Sequence, residues 1–137
     1  MSDAARWMVA IGFIALPTIA YGGYFLLSVL KRKVGTENIT PVQKDYFRAG
    51  HAHAGVLVTL SIIGQIVLDY SNFDDWLTWT FRIGLLVSPI LISAGFFGGA
   101  PKTADGPAGP LVKLISIGAV IFSISAIGVG IGLLLPQ

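Results

Sequence analysis

Charge is nearly excluded from four long apolar stretches of this 137-residue chain: of nine basic and seven acidic side chains, only Arg82 falls well inside one of them, with Lys113 at the edge of the fourth. A water-soluble domain spreads charge over every surface element, so hydrocarbon is the solvent that this pattern fits. The stretches run from Trp7 to Leu30, about Ala49 to Leu68, about Trp76 to Ala100, and Leu111 to Leu135. As a helix rising 1.5 Å per residue, each covers a hydrocarbon core roughly 30 Å thick. Four strands cannot close a transmembrane barrel, and the stretches do not alternate as barrel strands do. The expected fold is all-α, a polytopic membrane four-helix bundle, with residues 1–137 forming a single integral membrane domain.

The first stretch is too long for a secretory signal and ends at Lys31-Arg32-Lys33 instead of a small-residue cleavage site, so it is expected to remain in the mature protein. The chain contains no cysteine, which removes disulfides, thiolate metal sites and cysteine nucleophiles. Lys31, Arg32, Lys33, Lys44, Arg48, Lys102 and Lys113 fall on one side of the four spans, and Asp69, Asp74 and Asp75 on the other. Cations flanking spans are retained in the cytoplasm, so both termini are expected outside it, in a plasma or inner membrane. Membrane lipids account for the modest positive balance, and no basic motif points to nucleic acid as a partner.

Thr40-Pro41-Val42-Gln43 predicts a capping box that starts the second helix ahead of its apolar stretch. The loop from Gly98 to Pro110 contains three prolines and four glycines and cannot continue a helix. Trp76 and Trp79 suit the boundary between tails and headgroups. Arg82 lies about 9 Å along the axis from the start of the third stretch, within reach of the interface by snorkelling. Asp69, Asp74 and Asp75 are its candidate partners, and Arg82 and Arg48 are read as interfacial charges.

A shift of 72 residues lays Trp7 on Trp79, Gly12 on Gly84, Pro17 on Pro89 and Gly23 on Gly95. A shift of 64 lays Ser61 on Ser125 and Gly64 on Gly128. Two tandem helical hairpins in parallel are the architecture that this internal repeat suggests. Burial of apolar surface gains little among lipid tails, so small residues that let backbones approach must hold the helices. Gly50, Gly55 and Gly64 in the second helix, and Ser125, Gly128 and Gly132 in the fourth, are the expected packing positions, with Gly128 and Gly132 forming a GxxxG pair.

His51 and His53 are the only histidines. Two positions apart on a helix is about 200° of rotation, so the rings point to nearly opposite sides and do not chelate one metal. Each side instead offers one imidazole, a good axial ligand for haem iron. The pattern His51-Ala52-His53 is similar to one on a helix of the haem–copper oxidase and nitric oxide reductase family, where the two histidines serve different haems. That resemblance implies haem b as a cofactor at His51 or His53. The chain lacks the further histidines of that family's second metal centre, so its oxygen or nitric oxide chemistry is not expected.

No serine is accompanied by an activating base, and no phosphate-binding loop occurs. The leading expectation is a small non-enzymatic membrane protein acting through helix–helix association, as an accessory subunit or with itself. A b-type haem or metal protein passing electrons is the alternative. A small channel or transporter is the third reading, with Pro17 and Pro89 as bending points, His51 as a protonatable gate, and Thr18, Tyr21, Tyr24, Thr59 and Gln65 as its polar lining.

Overall fold

A computed structural model describes residues 1–135. It contains four helices long and apolar enough to cross a membrane: α1 (Asp3–Leu30), α2 (Pro41–Val67), α3 (Asp75–Gly99) and α4 (Lys113–Leu134). Single 3-10 turns at Leu68–Tyr70 and Pro110–Val112 end α2 and lead into α4.

Capping chemistry sets several of the helix ends, which is why α1 and α2 begin ahead of their apolar stretches. Ser2 Oγ accepts the Ala5 amide at 3.1 Å and starts α1. The expected capping box is present at α2: Thr40 Oγ1 accepts the Gln43 amide at 3.2 Å, and Gln43 Oε1 accepts the Thr40 amide at 2.9 Å. Helix α1 stops because Arg32 takes a left-handed φ of 48°. The Lys33 amide then reaches back to Ser28 O at 3.1 Å and the Arg32 amide to Val29 O at 3.2 Å. These are the paired bonds of a Schellman stop.

The helices pack in chain order, α1 on α2, α2 on α3 and α3 on α4, and α4 has no substantial contact with α1. The four-helix bundle is therefore an open row, with α1 and α4 at its two edges. Water would drive exposed apolar faces together, but lipid supplies no such force, so close-packed seams alone decide which helices touch. Helix α3 carries the richest seam. Gly84 lies against Ser125, Gly95 against Ile115, and Gly118 of α4 against Ile92.

Antiparallel neighbours bring the start of α1 and the end of α4 to one end. Ser2 bonds Asp69 there, and Gly132 lies against Ser71 and Phe73. A cluster of Leu68, Phe81 and Leu85 fills that end, with Phe73, Leu77, Phe122 and Val129 against it. The opposite end is aromatic: Phe47 meets Phe25 edge-on at 5.6 Å and stacks on Phe97 at 5.5 Å. Trp7, Ile14, Val120 and Ile127 point outward, as side chains facing lipid do.

Candidate functional site

Arg82 does not snorkel. It is 2% exposed, and its guanidinium turns inward to α2. Nη2 donates to Asp69 Oδ1 at 2.6 Å, while Nη1 donates to the Gln65 carbonyl at 2.7 Å and to Gln65 Oε1 at 3.2 Å. Gln65 Nε2 returns a bond to the Arg82 carbonyl at 2.9 Å. Asp69 also accepts the Ser2 amide and hydroxyl at 2.5 and 2.6 Å, so one carboxylate clips α1, α2 and α3 together. A buried guanidinium is tolerated only when its donors are satisfied, and the carboxylate of Asp69, in the 3-10 turn that ends α2, lies within direct reach. Asp74 and Asp75, the other candidate partners, are exposed. Gln65, expected to line a permeation path, is consumed by this clip.

The prolines find different surroundings. Pro89 lacks an N–H, which frees the Leu85 carbonyl one turn earlier. Ser61 Oγ of α2 donates to that carbonyl at 2.5 Å, a cross-helix bond made available by the proline. Among the described residues no side chain from another helix donates to Phe13 O, the carbonyl that Pro17 frees.

His51 and His53 do face different sides of α2. The His53 ring stacks on Phe96 at 5.0 Å, and its Nδ1 lies 2.7 Å from Ala49 O of its own helix. The His51 ring lies against α1, where a Cβ added to Gly22 or Gly23 would approach it within 3.3–3.4 Å. Its nitrogens have no hydrogen-bond partner among the described residues. Its surroundings are a cleft of about 390 Å³ lined by Leu26, Val29, Leu30, Lys44 and Arg48. Met8, a residue type that can ligate haem iron, is some fourteen residues away along α1 from Gly22, about 21 Å at helical rise. Among the described residues no three His, Asp or Glu side chains gather as a metal cage.

The structure brings the packing positions into seams inside the chain. Gly50 lies beneath Phe96 and Phe97, Gly64 against Leu85, Ser125 against Gly84, Gly128 against Phe81, and Gly132 against Ser71 and Phe73. The GxxxG pair thus seats aromatic rings from within the molecule. Gly55 alone of the six meets nothing within 4 Å. Arg48 is exposed and lies 3.9 Å from Asp45.

A groove of about 320 Å³ runs where α1 and α3 both lean on α2 without closing on each other. Ala54 and Val58 form its floor, with Ala15 and Thr18 on one wall and Pro89, Ser93 and Ala94 on the other. Sequence reading missed this groove, because its small residues come from three helices and no single stripe displays them. Searches against family models, curated proteins and solved structures found no match to the chain.

Proposed function

We propose that the protein is a small non-enzymatic integral membrane subunit that works by helix–helix association in a larger membrane complex or with its own copies. The observation that carries this reading is the groove between α1 and α3. Ala15, Ala54 and Ala94 bring three backbones close to its axis, and small residues at matched depth are what admit another helix in lipid. The GxxxG surface of α4 is already occupied by Phe81 and Phe73, so the association surface moves from the predicted stripes to this groove. The orientation proposed with it keeps both termini outside the cytoplasm, from the placement of the cations. The proposed tandem duplication of two hairpins accounts for the matched prolines, Pro17 in α1 and Pro89 in α3.

A photoreactive residue at Ala94 in the groove, compared with one at Ile124 on the outer face of α4, tests the reading. The expected result is a discrete protein adduct from position 94 alone, with loss of the complex in mild detergent for Ala94→Trp. A protein that runs as a lone monomer and gives no adduct from position 94 overturns it.

A further inference from the structure

Lys44, Arg48 and His51 lie four and then three residues apart on α2, so they form one stripe along its axis. That stripe faces the last turns of α1, where Leu26, Val29 and Leu30 complete the cleft. The α1–α2 register is fixed by Gly12 against Ile62, Phe25 against Phe47, and Gly22 and Gly23 against His51. It sets Lys44 level with Leu30 and Arg48 level with Leu26. Helix α1 is still apolar at this height, since the nearest cation along its chain is Lys31, just past its end. Two cations therefore lie level with the apolar last turns of α1, and among the described residues they meet no strong counter-charge. Asp45 is 3.9 Å from Arg48 and three-quarters exposed, while Lys44 has no ion pair among the described residues. His51 adds unpartnered ring nitrogens about 10 Å deeper than Lys44 at 1.5 Å per residue.

We propose that this cleft is a binding site for one anionic phospholipid. Its phosphate sits between Lys44 and Arg48, the imidazole of His51 donates to the ester region below, and an acyl chain lies along Leu26 and Leu30, with Val29 buried behind them. Cations beside an apolar wall fit an amphiphile. A free phosphate leaves that apolar wall unused, and a cation beside it is costly without its anion. Gly22 and Gly23 have a defined part, because a Cβ at either would already lie 3.3–3.4 Å from the His51 ring, and a side chain as large as leucine there would crowd it.

The experiment is native mass spectrometry of the full chain, released from vesicles of equal phosphatidylglycerol and phosphatidylcholine. One tightly retained phosphatidylglycerol per chain is expected. Lys44→Gln and Arg48→Gln should each lower its retention over phosphatidylcholine by about fivefold. Lys31→Gln/Lys33→Gln, which removes two cations from the same end outside the cleft, should leave retention unchanged. Equal loss in that control overturns the proposal, because general surface charge then suffices. Displacement by millimolar inorganic phosphate overturns it in favour of a simple anion site, and a Soret band in the purified protein overturns it in favour of haem at His51. Gly23→Leu is an independent arm: it leaves every cation in place and should weaken retention by crowding His51, and unchanged retention would remove the imidazole from the site.

Discussion

At the residue scale, the polar groups inside the helices are held in pairs whose value shows only when one member is removed. Asp69→Ala strands the Arg82 guanidinium and is expected to cost about 3–5 kcal/mol, whereas Arg82→Met/Asp69→Leu should cost far less because no charge is left behind. Equilibrium unfolding in mixed micelles measures both, and equal losses would mean that the pair itself carries the stability. Ser61 and Pro89 form a second coupled pair through the Leu85 carbonyl. Ser61→Ala is expected to cost about 0.6–1.7 kcal/mol in the parent chain. It should cost less in a Pro89→Ala background, where the backbone N–H again serves that carbonyl. A double-mutant cycle with no coupling would show that the serine is not answering the proline. Sequence alone gave Arg82 three carboxylates to choose from. The choice of Asp69 depended on the end of α2 lying beside α3, which no local pattern expresses.

At the element scale, the seams are set by how closely backbones approach. A Cβ at Gly99 would lie 2.8 Å from the Val112 backbone amide nitrogen, while one at Gly130 meets nothing within 4 Å. Gly99→Ala is therefore expected to destabilise by about 1–3 kcal/mol, since a backbone cannot step aside as a side-chain tip can. Gly130→Ala should stay within about 1 kcal/mol of the parent, on the stabilising side. Thermal unfolding in one detergent compares them, and a reversed order would mean that the α3–α4 junction is looser than described. The GxxxG spacing was legible in the sequence, yet its partner was not. Gly128 and Gly132 receive Phe81 and Phe73 from the preceding hairpin arm and its approach. The basic stripe of Lys44, Arg48 and His51 had a readable spacing, but its meaning waited on the apolar turns of α1 that face it.

For the whole molecule, the open row leaves α1 supported almost entirely by α2, and this sets where association is proposed to occur. Topology belongs to this scale as well. The chain carries no cysteine, so single cysteines introduced at Asn38 and Asp74 report directly on sidedness. In intact cells an impermeant maleimide is expected to label Asp74→Cys and to spare Asn38→Cys, because seven of the nine basic residues share the side of Asn38. The opposite labelling would invert the molecule and place the cationic cleft in the outer leaflet.

Hydropathy, prolines and caps are local properties, so the number of spans, their approximate ends and the capping box at Thr40 could be read without coordinates. The opposed directions of His51 and His53 followed in the same way, from helical rotation alone. Which helices touch was decided only in three dimensions, because lipid imposes no general drive to bury apolar faces and the outcome rests on close fits between particular glycines and side chains. The open row, the inward turn of Arg82 to Asp69, the groove beside Ala54 and the cleft beside His51 are all consequences of those fits.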